Sequence, residues 1–244
     1  MSGHSHFASI KHKKELTDQK RGQMFSKMAQ VIAMAARQGG PNPETNYRLR
    51  LAIDKAKEVN MPRENVERAI KRGSGGDDGA KLEEVIFEGY GPGGVAVMVA
   101  GITDNKNRTF SEVRQILNQN GGKIVGEGAI RWLFEQKGVA VIDPKSQPAE
   151  LQNKENLELA VIEAGADDIY WHDDVLDVHT KPENLETLRK NLEAKGIKIE
   201  SASMDMVPKE PIEADEATKE ACQKLFDALD ENDSVQDVYS NLKL

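Results

Sequence analysis

Lysine and arginine residues crowd a short stretch near the start of the chain, where the chemistry they could perform is phosphate binding. Within 17 residues this stretch contains Lys11, His12, Lys13, Lys14, Lys20, Arg21 and Lys27. Clustered cations attract a polyanion because binding releases the counterions condensed on its phosphates. We therefore predict that a nucleic-acid backbone is contacted by Lys11, Lys13, Lys14, Lys20, Arg21 and Lys27.

The sign of the net charge changes along the chain. Residues 1–76 hold 15 Lys and Arg against 7 Asp and Glu, whereas residues 77–244 hold 18 against 34. The whole-chain value of −8 hides this asymmetry. A single lysine is more often a solvated surface group, but a basic segment in an otherwise acidic protein indicates a dedicated polyanion-binding region.

Further cations follow on the next two predicted helices, at Arg48, Arg50, Lys55, Lys57, Arg63, Arg68, Lys71 and Arg72. If they line one face, they form a basic surface large enough for a duplex or a folded RNA. Among them we predict phosphate contacts for Arg63, Arg68, Lys71 and Arg72. Phe7 and Tyr47 could stack on an exposed base, and each could equally be a core or anchoring residue.

Histidines and acidic residues are weaker candidates for a site. His4, His6 and His12 match no zinc spacing and have no cysteine nearby, so we expect no metal there. A predicted hairpin carries His172, Asp173, Asp174, Asp177 and His179. These side chains could form an oxygen-rich cation site or the centre of a hydrolase, but surface acidity in an acidic domain explains them more simply.

A glycine-rich stretch at residues 89–94 satisfies the pattern G-x-G-x-x-G. The dinucleotide fingerprint requires a helix directly after these glycines, and a strand-like run follows here instead. The stretch therefore predicts a turn between two strands, and Gly79-Ala80-Lys81 likewise does not complete a Walker A loop. Since no nucleophile–base pair is evident, we expect a non-enzyme without a cofactor.

Length and composition are those of a multidomain globular protein. A chain of 244 residues can hold two or three domains. Its single cysteine, Cys222, excludes an internal disulfide framework, and we expect it in a helix core. No apolar run near the start is long enough for a secretory signal or a bilayer span, so we expect a cytoplasmic protein without a membrane partner.

The N-terminal segment has the periodicity of three helices. Apolar residues recur with helical spacing from about Lys20 until Gly39-Gly40-Pro41 ends the run. A second helix is predicted over 43–59, and a third has Pro62 at its first position and Gly73 at its end. We predict a small helical bundle, followed by a linker at residues 74–79.

Strands alternate with helices beyond the linker. We predict strands at 85–91, 94–103 and 129–134, with a helix over 107–120. Residues 138–207 follow the order βαββαβ, which is typical of a ferredoxin-like unit. A last helix over 214–230 and a strand over 235–241 lack partners of their own, so they should pack on the sheet of residues 80–130.

The predicted architecture is therefore an α+β multidomain protein, in which an N-terminal three-helix domain precedes two α/β domains. The ferredoxin-like βαββαβ unit is then an insertion in the other α/β domain, since the last helix and strand return to that domain's sheet. Insertion is plausible because domain termini often lie close together. The predicted boundaries are residues 1–76 for the basic helical domain, 77–130 with 208–244 for the discontinuous domain, and 131–207 for the insertion.

Several stretches, in one order, resemble the YebC/PmpR family, which includes the mitochondrial translational activators of cytochrome c oxidase. They are GHSHFASIKHKK, three positions of DQKRG, FSK, NYRLRLAIDKAK, NMPRENVERAIKRGSGG, EEVIFEGYGPGGVAVMV, TDNKNRT and EVR. The resemblance implies the same three-part fold and DNA binding through the basic N-terminal domain. The usual GHSKW opening of the family is GHSHF here, so His6 stands for a lysine and Phe7 for a tryptophan.

We expect a non-enzymatic regulator of gene expression, a DNA-binding transcriptional regulator of the YebC type. The alternative is a translation factor that binds the ribosome or mRNA through the same basic domain. Residues 131–207 contain 9 basic and 16 acidic residues, so phosphates should be repelled there. We expect the acidic α/β domains to set geometry or to bind a protein partner.

Overall fold

The computed structural model describes residues 18–75, 82–172 and 174–243. Its first part is a bundle of three helices, α1 (Asp18–Gly39), α2 (Tyr47–Glu58) and α3 (Arg63–Gly73). The apolar faces of these helices meet in a core that includes Ile32, Leu49 and Ala69. Asn46 caps α2 by accepting a hydrogen bond from the Leu49 backbone N–H at 3.0 Å, and its amide donates to Ala35 O at 2.8 Å. This one side chain therefore fixes the start of α2 against α1.

Helices α1 and α3 approach each other closely at Gly73. A Cβ atom placed on Gly73 would lie only 2.1 Å from the backbone oxygen of Ala33. The apolar side of α3, with Val66 and Ala69 buried, therefore packs tightly on α1. The remaining side of α3 is left to solvent.

The first sheet has four antiparallel strands in the order β3-β1-β2-β8. Its strands are β1 (Glu83–Tyr90), β2 (Ala96–Thr103), β3 (Lys123–Val125) and β8 (Val235–Ser240). One face is covered by α4 (Lys106–Gln119) and α7 (Glu216–Asp230), which share a core with the sheet through Val97, Val113 and Leu225. The bundle contacts the opposite face through pairs such as Lys55 with Asp237.

The second sheet belongs to a βαββαβ unit with the strand order β5-β6-β4-β7. Its elements are β4 (Phe134–Ile142), α5 (Lys154–Glu163), β5 (Asp168–His172), β6 (Val175–Thr180), α6 (Leu185–Ala194) and β7 (Ser201–Pro208). Helices α5 and α6 cover one face, where Leu157, Leu176 and Leu192 are buried. The ferredoxin-like prediction is confirmed, as is the return of the last helix and strand to the first sheet.

The chain divides into two compact units. One extends over Leu133–Pro211, and the other holds the bundle, the first sheet, α4 and α7. The finer division into three domains, at 1–76, 77–130 with 208–244, and 131–207, stays a prediction. No helix in the described part of the chain has the length and apolarity needed to cross a bilayer.

The structure differs from the prediction at three places. Residues 129–133 form no strand, because the buried carboxylate of Glu88 accepts hydrogen bonds from the backbone N–H groups of Gly128, Ile130 and Arg131 at 2.7, 2.8 and 3.2 Å. These donors are then unavailable to a strand ladder. The short strand β3 was missed, since three residues are too few for a periodic pattern. Pro62 is the N-cap of α3 and not its first helical residue.

Candidate nucleic-acid interface

The outer side of α3 carries the clearest cationic surface among the described residues. Arg68, Lys71 and Arg72 recur at spacings of three and four, which places them on one face of the helix. All three are exposed, and their side chains form no hydrogen bond or ion pair within residues 18–75, 82–172 and 174–243. We call these three residues the α3 basic face. Lys71 and Arg72 also lie in the last turn, where the helix dipole favours positive charge.

Arg63, at the opposite end of α3, has different surroundings. Its Nε lies 2.7 Å from Oε1 of Glu67, one helical turn away. Glu64 adds a second carboxylate in this first turn. These two carboxylates oppose a phosphate at the first turn of α3, where the helix dipole by itself would favour one.

The start of α1 is held against the turn between α7 and β8. Gln23 donates to the backbone oxygen of Glu231 at 2.6 Å and to Oδ1 of Asp233 at 2.8 Å. Lys20 and Arg21 are exposed on this segment, with the Lys20 Nζ 4.0 Å from Oε1 of Glu231. The predicted contacts Lys11, Lys13 and Lys14 lie outside the described residues, as does Phe7.

Lys27 is not on the surface. It is 8% exposed, and its ammonium donates to the backbone oxygen of Asp230 at 2.5 Å. This oxygen belongs to the last turn of α7, where carbonyl groups have no partner within the helix. Lys27 therefore closes the end of α7, and its predicted phosphate contact finds no support in its position.

Three of the four cations of α2 bind residues outside that helix, and the fourth, Lys57, lies 3.0 Å from Oδ1 of Asp54 within it. Arg48 forms an ion pair with Glu84 of β1, and Lys55 contacts Asp237 of β8 at 3.3 Å. Arg50 donates to the backbone oxygens of Pro43 and Glu44, both at 3.1 Å. These residues join α2 to its neighbours, so the α2 cations and the α3 basic face do not form one equivalent surface.

Two family models match the chain. The model described as TACO1/YebC protein N-terminal domain matches residues 5–76, and the model described as TACO1/YebC second and third domain matches residues 82–242. The chain belongs to the TACO1/YebC family. The resemblance to the YebC/PmpR family is thereby confirmed.

Relatives of similar length extend the comparison over the whole TACO1/YebC fold. Probable transcriptional regulatory proteins from Halothermothrix orenii and Persephonella marina are 46% and 48% identical, over 100% of this chain and 96% of each relative. The crystal structure of a conserved hypothetical protein from Aquifex aeolicus is also similar. It has 46% identity and a TM-score of 0.87, and the match covers 98% of this chain and 97% of that one.

Tyr47 of this TACO1/YebC chain does not offer an open ring to a base. Its hydroxyl is buried, and the guanidinium of Arg50 lies 5.8 Å from the ring centroid. This position fits the anchoring role that we considered as the alternative to base stacking.

The acidic hairpin between β5 and β6 forms no common site in the described part of the chain. Asp174 is exposed and its carboxylate accepts a hydrogen bond from Lys145 at 2.6 Å, whereas His179 is fully buried. His172 Nε2 lies 3.0 Å from Oδ2 of Asp177. Burial lowers the pKa of His179 to about 4. No group of three or more His, Cys, Asp or Glu residues among those described could hold a metal ion, and Asp173 lies outside them.

The glycine-rich stretch is the predicted turn between strands. Pro92–Gly94 forms a single turn of 3-10 helix between β1 and β2, and Gly93 has a φ of 65° that favours glycine.

Cys222 lies on the inner side of α7, buried in the core, and burial raises the pKa of its thiol. Its predicted packing role is consistent with this position.

One exposed row of side chains was missed by the sequence analysis. On α4, Lys106, Phe110 and Arg114 recur every four residues, and all three are exposed. The spacing alone could have drawn attention to it, because i, i+4 and i+8 share one side of a helix. We had weighed only the N-terminal segment for nucleic-acid binding.

Proposed function

We propose that this protein is a non-enzymatic regulator of gene expression that binds DNA through its N-terminal bundle, as a transcriptional regulator. The observation that carries the proposal is the α3 basic face, in which three cations are exposed while Arg48 and Lys55 of α2 pair with carboxylates of the first sheet. Relatives that are named probable transcriptional regulatory proteins support the same role. A cytoplasmic location stays a prediction.

The α3 basic face would contact the phosphate backbone. These three side chains have no ion pair with another described residue to break before they meet a phosphate, and each contact gains free energy by counterion release. Lys20 and Arg21, at the start of α1, would add contacts, and Lys11, Lys13 and Lys14 would extend them along the preceding segment. Arg63 is a weaker member because Glu67 already pairs with it.

The α/β parts of the molecule would have a different task. The excess of acidic residues in 131–207 disfavours phosphate there. We propose that these parts bind a protein partner or position the bundle on its target. Phosphate contacts confer affinity but little sequence information, so a choice among genes requires base contacts or a partner.

The test is a salt titration of duplex binding. Substituting Arg68, Lys71 and Arg72 together by Gln removes three charges while keeping a helix-forming residue at each position. We expect affinity for a 30-base-pair duplex to fall at least about tenfold, and the slope of log affinity against log salt to fall by about 2.7. The matched control substitutes Lys181, Lys190 and Lys198, three exposed lysines of the other unit, by Gln. If the two triple variants have the same slope, the α3 basic face is not the interface.

The alternative function is translation, with ribosomal RNA or mRNA bound by the same face. The matching family models carry the name TACO1/YebC, and the sequence resembles a family that includes translational activators. Translation is therefore the second candidate. Sedimentation through a sucrose gradient separates the two functions. If the natural protein co-migrates with ribosomes and the α3 triple variant does not, translation is favoured. If the protein binds a promoter duplex more tightly than a random duplex at about 0.15 M salt, transcription is favoured.

A further inference from the structure

Helix α4 presents a cation, an aromatic ring and a second cation in one line. Its inner side buries Thr109, Val113 and Leu117. Lys106, Phe110 and Arg114 follow the edge of this buried side, about 6 Å apart along the axis, because each residue rises 1.5 Å in an α-helix. We call these three residues the α4 row. They lie in the TDNKNRT and EVR stretches and the residues between them, to which the proposed function assigns no role.

The ring of Phe110 is held in place with part of its surface open. Phe110 is 38% exposed, and its ring packs edge to face against Phe87 of β1, with the centroids 5.9 Å apart. A single exposed ring is ordinary on a protein surface, so the weight of Phe110 comes from its place between two cations. The contact with Phe87 restrains the ring, so that a planar ligand could stack on it at low cost in entropy.

The charge of the α4 row is positive. The side chains of Lys106 and Arg114 form no hydrogen bond or ion pair with another residue that the structure describes. The nearby carboxylates of Asp104 and Glu112 are engaged by Arg108, at 2.6 and 3.8 Å. Residues 108 and 112 lie on a different side of the helix from the row. The row therefore attracts anions without an acidic neighbour on its own side of α4.

The turn between α7 and β8 contacts both α4 and the start of α1. Asn232, in the turn between α7 and β8, donates to Oε2 of Glu112 on α4 at 2.9 Å. The same turn accepts the hydrogen bonds of Gln23 from α1. Both helices therefore belong to one compact unit, but this turn contacts α4 on the side away from the row, so the row is a contact separate from the bundle.

We propose that the α4 row is a second nucleic-acid contact, specific for single-stranded segments. Lys106 and Arg114 bind phosphates of one strand, and Phe110 stacks on an unpaired base between them. A duplex hides the faces of its bases, whereas a single strand offers them to an aromatic ring. An acidic peptide would use the two cations but would have no planar group for Phe110. This inference rests on the proposed nucleic-acid function and adds the strand state of the ligand.

The first test compares strand states with the whole protein. Fluorescence anisotropy is measured with one 20-nucleotide sequence as single-stranded DNA, single-stranded RNA and duplex DNA. For Lys106→Gln with Arg114→Gln, we expect the affinity for single strands to fall at least about fivefold and the salt slope by about 1.4. Duplex affinity should stay within about twofold. The control is Lys219→Gln with Lys224→Gln, on α7 of the same unit.

The second test isolates the ring. Phe110→Leu keeps an apolar contact with Phe87 but cannot stack, so we expect single-strand affinity to fall about fivefold or more. Phe110→Trp should retain the affinity of the natural protein, because indole stacks at least as well as phenyl. A thermal unfolding curve for each variant confirms that binding is measured on folded protein. If Phe110→Leu binds as the natural protein does, the stacking role is wrong.

The outcomes separate this inference from the proposed function. If the α4 variants match their control while the α3 triple variant loses affinity for every probe, the α4 inference fails and the bundle interface stands. If the α3 triple variant is also unchanged, or the natural protein binds no probe, both fail. A labelled polyglutamate peptide is a further probe. If Lys106→Gln with Arg114→Gln weakens the binding of this peptide but not of single strands, the inference is also overturned. A larger effect with RNA than with DNA would support it and identify RNA as the source of the strand.

Discussion

Helices α2 and α3 carry similar charge in one bundle, yet their cations have different surroundings. On α2, Arg48 and Lys55 contact carboxylates of the first sheet. On α3, the side chains of the basic face are exposed, and none of them forms a hydrogen bond or an ion pair with another described residue. A phosphate that approaches α2 must compete with an existing partner, whereas a phosphate at α3 displaces only water and ions. Equal charge in a sequence is therefore not equal binding capacity.

The position of the α3 basic face depends on the close packing of α3 against α1. Gly73→Ala would place a Cβ atom 2.1 Å from the Ala33 oxygen, so the helices must separate and we expect the free energy of unfolding to fall by about 3 kcal/mol. Gly22→Ala in α1 is the matched control, because its Cβ would meet no atom within 4 Å. That variant should be stabilised by about 0.5 to 1 kcal/mol. Urea unfolding measures both, and equal stabilities would show that the close approach is unimportant.

The contrast between buried and exposed charge extends to His179 in the other unit. Burial lowers the pKa of this histidine from 6.5 to about 4, partly offset by Asp177. The unfolded chain takes up a proton as the pH falls below 6.5, and the folded protein does so only near 4, so stability is full above 6.5 and is lost between these values. We expect a loss of about 2 kcal/mol between about pH 7 and pH 5.

The fluorescence of Trp171 in a Trp132→Phe background reports this loss, because Trp171 packs against the core of the same unit as His179. His179→Leu should abolish most of the pH dependence in this window. A pH dependence that persists undiminished in His179→Leu would assign the effect to another group.

Lys27 and Lys20 give the same comparison of a buried cation with an exposed one within α1. Lys27→Met removes the hydrogen bond to the Asp230 oxygen, and we expect it to lower the free energy of unfolding by about 1 to 2 kcal/mol with duplex binding unchanged. Lys20→Met, two turns earlier and exposed, should do the reverse, losing affinity with little change in stability. Thermal unfolding and anisotropy on the same two proteins measure both effects. Reduced duplex affinity in folded Lys27→Met would return Lys27 to the interface.

Much of the fold could be predicted because its patterns are local. Short runs rich in apolar residues predicted the strands at 168–172 and 175–180, and their order with two helices predicted the ferredoxin-like unit. The position of the last strand followed because it lacked any other partner. The error at residues 129–133 has a distant cause, since the carboxylate of Glu88 lies about forty positions earlier in the sequence and holds the backbone in a turn.

The candidate site was only partly predictable. Spacing placed Arg68, Lys71 and Arg72 on one helical face, and the structure leaves them exposed. Spacing could not show that Lys27 would meet Asp230, because a contact between residues so far apart in the sequence leaves no local signal. The same holds for the pairing of Arg48 and Lys55 with the first sheet. Charge identifies a ligand class, and packing decides which charges are available to it.

The most direct test of the central claim compares α3 with α2 in one salt titration. The triple variant Arg68→Gln, Lys71→Gln, Arg72→Gln is measured beside Arg48→Gln, Arg50→Gln, Lys55→Gln on the same 30-base-pair duplex, at a temperature where circular dichroism shows both to be folded. We predict that the slope falls by about 2.7 for α3 and stays within about 0.5 of the natural protein for α2. Equal losses of slope, or a larger loss for α2, would contradict the account.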